Sequence, residues 1–158
     1  MDQQQIYARA LEVMKENFSH MTIMSLGTYA NGIVSVREVN TYYKDGKMYV
    51  LSKKTNTLMH DIDICPSVGL CHGAHNMRGI ARDLGHPLEP QNAELRKKLK
   101  KEFSLNYDEY VTEDNPDMRI VEISLTSAET FTRYHRYEID YVEQTASRDH
   151  TEPLYVYR

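Results

Sequence analysis

Residues 33–51 constrain the fold most, because they hold two short alternating runs separated by Asp45-Gly46. The first run sets Val34, Val36, Glu38, Asn40 and Tyr42 on one side and Ile33, Ser35, Arg37, Val39, Thr41 and Tyr43 on the other. That is the two-residue period of a β-strand. Lys44-Asp45-Gly46-Lys47 ends the run, and Asp-Gly suits a tight hairpin because glycine accepts positive φ without steric cost. The second run, Met48 to Leu51, therefore returns antiparallel to the first. A chain built on hairpins favours a barrel or sandwich over a parallel sheet.

The rest of the chain extends this pattern. Tyr7, Ala10, Leu11, Met14 and Phe18 fall near one stripe of a helix over 3–18. Met21 to Thr28 reads as a first strand and Ala30-Asn31-Gly32 as a turn, so the first three strands form a meander. A short helix over 56–64 follows, capped by Thr55, Asn56 or Thr57, and Cys65-Pro66-Ser67 breaks it. Val68 to Cys71 and Met77 to Leu84 are strands, and Gly79 in the second marks a bulge, a bend or a close approach. Leu95, Leu99 and Phe103 define a helix over 92–103. Arg119 to Leu125 and Glu129 to His135 read as two final strands. The fold class is mainly β (α+β), antiparallel, with six to seven short strands and flanking helices. We expect one domain over 1–136 and a charged, tyrosine-bearing tail over 137–158, either packed on a partner subunit or partly ordered.

Composition narrows the functional classes. The 158 residues suit one domain. A net charge of −4, from 19 basic and 23 acidic residues, argues against a general nucleic-acid binder. The basic run Arg96 to Lys101 is the wet face of its helix. No apolar stretch is long enough to span a bilayer, and Met1 to Gln5 lacks the pattern of a signal peptide. With only two cysteines, Cys65 and Cys71, the expected compartment is the cytoplasm.

Chemistry concentrates at Ser52-Lys53-Lys54-Thr55-Asn56-Thr57, a basic, hydroxylated turn leading into the 56–64 helix. Free N–H groups and partial positive charge at a helix start suit a phosphate. Arg37, on the neighbouring strand, offers a planar bidentate donor to the same anion. Read locally, the same residues also serve as a solvated turn and helix cap. Cys65, Cys71, His72 and His75 offer zinc-type ligands, but their spacing is poor and no metal site is expected. Seven histidines, including His72, His75 and His86, keep haem as an alternative.

Together these elements resemble the pyridoxamine 5'-phosphate oxidase-like, FMN-binding split-barrel family, in its branch of small flavin-binding, general-stress and nitroimidazole-resistance-like proteins. The resemblance rests on Arg37-Glu38-Val39, on Leu51-Ser52, on the turn Lys53 to Thr57, on Ile64 to Leu70 and on Gly79-Ile80-Ala81. It spans roughly residues 15–132. It implies a split β-barrel, FMN as cofactor, and a homodimer with FMN at the subunit interface. The cofactor-binding residues it implies are Arg37, Val39, Asn40, Leu51, Ser52, Lys53, Lys54 and Thr57, with His72 and His75 from the partner chain. The implied function is an oxidoreductase carrying a hydride or electrons from a nicotinamide donor through FMN to a quinone, nitro compound or flavin. The alternative is a non-catalytic flavin- or haem-binding storage or stress protein. Arg133-Tyr134-His135-Arg136 does not match the family's vitamin B6 pattern, so pyridoxamine-phosphate oxidation is not expected. Another departure is Asn56-Thr57-Leu58, where the family carries Ser-Arg-Lys at the helix entrance.

Overall fold

Asp2 starts the first helix, α1 (Gln3–Phe18), through a reciprocal cap: its carboxylate accepts the Gln5 N–H at 2.8 Å, and the Gln5 side chain accepts the Asp2 N–H at 2.9 Å. The structure is a computed structural model that describes residues 1–105 and 107–152, with the Tyr110 side chain left aside. The end of the expected tail, 153–158, lies outside the described residues.

Strands β1 (Thr22–Ala30), β2 (Ile33–Lys44) and β3 (Lys47–Lys53) form the expected meander. Both of its turns use left-handed backbone, with φ of 53° and 80° at Asn31-Gly32 and 51° and 79° at Asp45-Gly46. Helix α2 (Thr57–Ile64) follows, then β4 (Ser67–His72) and β5 (His75–Asp83). A 3-10 turn at Pro90–Asn92 leads into α3 (Ala93–Glu102) and α4 (Tyr107–Tyr110). Strands β6 (Met118–Phe131), β7 (His135–Asp140) and β8 (Thr145–His150) complete the described chain.

The sheet order is β3-β2-β1-β4-β5-β6-β7-β8, and a further β3–β6 pairing closes the first six strands into an antiparallel barrel. Closure removes the open edges that a six-strand sheet would expose. Strands β7 and β8 extend the sheet beyond it.

Two expectations change here. The segments 119–125 and 129–131 are parts of one strand, β6, and Thr126-Ser127 between them only looks like a break; the expected 129–135 strand stops at Phe131, and His135 already begins β7. One long strand is what lets β6 pair with β3, β5 and β7 together. The segment from Tyr137 to residue 150, read as tail, is mostly strand: Tyr137 and Ile139 are buried in the core, and Gln144 at φ 56° lies in the turn to β8.

Apolar side chains form two clusters. Inside the barrel, Leu26, Met48, Val50, Met77 and Ile123 meet Met14 and Phe18 of α1 and Leu58, Met59 and Ile62 of α2. Outside it, Leu99, Phe103, Tyr107 and Val111 cover Tyr42, Tyr49 and Ile120. Gly79 sits where the β5–β6 register shifts, and a Cβ there would stand 2.7 Å from both Ile123 Cγ2 and the Ser124 carbonyl oxygen.

Candidate functional site

Strands β2 and β3 and the start of α2 enclose a cleft of about 640 Å³. Its wall carries Ile23, Arg37, Glu38, Val39 and Asn40 from the meander, and Leu51, Ser52 and Lys53 from the end of β3. Asn56, Thr57 and Leu58 add the helix start, and the outer cluster under α3 and α4 supplies the remaining wall. Seven residues singled out from sequence therefore meet in one place: Arg37, Val39, Asn40, Leu51, Ser52, Lys53 and Thr57.

The helix start is held in a particular way. Asn56 does not cap α2 with its side chain; its amide donates to Ser52 Oγ at 3.2 Å. The Met59 N–H donates to the Asn56 carbonyl at 3.0 Å. Thr57 and Leu58, earlier in that first turn, have N–H groups with no carbonyl one helical turn back to accept them. Lys53, exposed, stands beside them. One ammonium, two hydroxyls and a helix start suit a phosphate. The apolar side chains of Ile23, Val39, Leu51 and Leu58 suit the face of a planar ring. The residues present thus fit a phosphorylated, ring-bearing cofactor.

Arg37 is not free to serve that phosphate alone. It stands opposite Leu26 in register, on the inward face of β2. Its Nη1 donates to Thr28 Oγ1 at 2.8 Å and to the Leu26 carbonyl at 3.3 Å, and its Nη2 lies 3.5 Å from Asp61 Oδ2. Thr28 in turn donates to the same carboxylate oxygen at 2.7 Å. Asp61, on α2, is buried. The Thr28 hydroxyl, followed by His60 and Arg37, holds its pKa below the ordinary carboxylate value against the effect of burial. Sequence reading did not single out Asp61 or Thr28. An acidic residue one helical turn after Thr57 carries no local motif, and only the packing of α2 on β1 reveals its partner.

Of the other expected residues, Lys54 lies outside the cleft, while His72 and His75, expected to reach a site from the partner chain, sit at the β4–β5 turn of their own chain. Lys54 is exposed and does not line the cleft; its backbone N–H donates to the Asp117 carbonyl at 2.7 Å. His72 and His75 pair across the β4–β5 turn and do not line the cleft either. His72 is exposed, with Nδ1 2.9 Å from the carbonyl oxygen of Ile23. His75 is buried between Phe18 and Phe131, and its Nδ1 lies 3.0 Å from Thr130 Oγ1. Burial, with the neighbouring His72, lowers its pKa to about 4. Cys65 is half-buried and Cys71 exposed. Among the described residues no group of His, Cys, Asp or Glu is arranged to hold a metal ion.

A closed six-strand antiparallel barrel with a cleft beside its first interstrand helix defines a split-barrel protein. No family model matches the chain, and no curated protein matches its sequence at a significant level. Solved structures do match it. A FAD-binding protein from Mesorhizobium loti has a TM-score of 0.60 at 18% identity, covering 75% of this chain and 91% of that one. A Clostridium acetobutylicum protein related to general stress protein 26, of the pyridoxinephosphate oxidase family, has a TM-score of 0.57 at 13% identity, covering 91% and 99%. The haem-storage protein HutZ from Vibrio cholerae has a TM-score of 0.59 at 11% identity, covering 75% and 88%. The chain therefore has the split-barrel fold of the pyridoxamine 5'-phosphate oxidase-like proteins.

Proposed function

We propose that the cleft holds FMN and that the protein is an FMN-binding oxidoreductase, carrying a hydride or electrons from a nicotinamide donor to a quinone, a nitro compound or another flavin. The observation that carries this reading is the meeting of seven expected residues in one cleft whose polar end suits a phosphate and whose apolar wall suits a ring. A FAD-binding protein among the structural neighbours supports the choice of a flavin.

The flavin would supply the redox chemistry once bound. The chain's own task is then to bind and orient it. Ser52, Lys53 and Thr57 meet the phosphate at the start of α2, and Val39, Asn40 and Leu51 line the ring. Ile23, Tyr29, Val34 and Val36 expose apolar side chains on the outer face of β1 and β2, each about half or more exposed. A patch of this kind marks an interaction surface. A second copy of the chain, completing the site from the far side, is its proposed occupant, and His72 stands near enough to Ile23 to belong to that boundary. The cytoplasm is the proposed compartment, since both cysteines are free thiols.

The test is anaerobic mixing of FMN-loaded protein with NADH or NADPH, followed by a quinone or nitro acceptor. Loss of the flavin's blue absorption and its return with acceptor are expected. A flavin that stays oxidised with both donors would overturn the oxidoreductase assignment in favour of a carrier or storage role.

A further inference from the structure

The charges around the cleft are balanced in a way that bears on which flavins it accepts. Its two cations, Arg37 and Lys53, are faced by two carboxylates: Glu38 on the wall and Asp61 behind Arg37. The Asp61 contact is built into the barrel. Thr28 bridges Arg37 and Asp61 through bonds of 2.8 and 2.7 Å, and three elements, β1, β2 and α2, must stay in place to keep it. A guanidinium already paired and hydrogen-bonded has less to offer a second anion, because its Nη1 donors are engaged and its charge is balanced by Asp61 nearby. Leu58, in the first turn of α2, brings no charge to replace it.

We infer that Asp61 is a specificity-determining residue: by holding Arg37 through Thr28 it withholds the Arg37 charge from a phosphate and leaves Ser52, Lys53 and Thr57 to hold it, so that the preference of the cleft for FMN over riboflavin is smaller than a released Arg37 would give. This rests on the flavin reading of the cleft. Asp61 acts through Arg37 and touches no ligand itself, so it is a positioning residue.

Titration of the protein with FMN and with riboflavin, followed by flavin fluorescence, tests this. Asp61→Asn keeps the shape and an acceptor for Thr28 while freeing the Arg37 charge. It is expected to tighten FMN by about tenfold or more and leave riboflavin unchanged. Arg37→Met in the Asp61→Asn background should abolish that gain.

An Asp61→Asn variant that leaves FMN affinity unchanged would overturn the inference while leaving flavin binding intact. So would an Asp61→Asn variant that shifts both ligands equally. Failure of both flavins to bind would overturn the flavin reading, and this inference with it. Should Asp61→Asn not fold, Arg37→Met in the wild-type chain decides: an FMN affinity that changes by less than about threefold supports the inference, and a loss of about tenfold or more overturns it.

Discussion

His75, named for a ligand site, also serves the fold of its own chain. Its ring makes edge contacts with Phe18 and Phe131, and its pKa of about 4 stands below the unfolded value of 6.5. Above pH 6.5 the ring is neutral in both states and its contribution to stability is fully present. As pH falls from 6.5 to about 4 the unfolded chain takes up a proton that the folded chain refuses, so stability is lost across that window. Thermal unfolding measured from pH 7 to 4 should show this decline, and His75→Phe should flatten it; an unchanged profile would remove His75 as the cause. Gly79 makes a second prediction at this scale. Gly79→Ala should cost about 1–3 kcal/mol in denaturant unfolding, because backbone and Ile123 must move to admit the methyl group. The sequence exposed the glycine as a bend or close approach, since only Gly lacks the Cβ that would collide. It did not expose Asp61, whose partners Thr28 and Arg37 lie 33 and 24 positions earlier in the chain and meet it only in the folded barrel.

Local signals located most elements, and the misses share a physical cause. Turns at Asn31-Gly32 and Asp45-Gly46 were legible because their residues tolerate the positive φ they adopt. The helix over α2 was legible from its cap region and from the proline after it. The continuity of β6 was not, because a strand held by partners on two sides can carry polar Thr126 and Ser127 that would end an isolated one. The β7–β8 hairpin was hidden by its many charges, which face outward while Tyr137, Ile139 and Ala146 turn in. Helix α4 was missed for its brevity, and it is anchored by a side-chain clamp. Glu113 accepts bonds from Arg96 at 2.6 and 2.8 Å and from the Tyr107 hydroxyl at 2.7 Å. The Arg96 bond, opposed by burial and helped by Tyr107, lowers the Glu113 pKa to about 2. Glu113→Ala should cost about 1–2 kcal/mol and expose the cleft wall at Phe103 and Tyr107 to amide hydrogen exchange before the barrel strands. Exchange that remains uniform across α4 and β6 would show that the clamp does not secure this cap.

For the whole molecule, the closed barrel positions the cleft, and the dimer proposed above uses its exposed outer face. Val36 stands opposite Gly27 on that face and is 67% exposed, so a charge there should leave the fold of one chain intact. Val36→Glu should convert a dimer to a monomer in light scattering and weaken flavin binding with it; an unaltered dimer would place the interface elsewhere. The wall of β1 and β2 was partly legible, as Val34 and Val36 alternate with inward residues, but only the folded barrel shows that no described residue covers them. The most direct measurement is an absorption and fluorescence titration of the purified protein with FMN, with any co-purified ligand identified by mass. The expected result is a saturable blue-absorbing complex with quenched flavin fluorescence and one flavin per chain. A colourless protein that leaves FMN fluorescence unchanged at every concentration would contradict the assignment of this cleft as a flavin site.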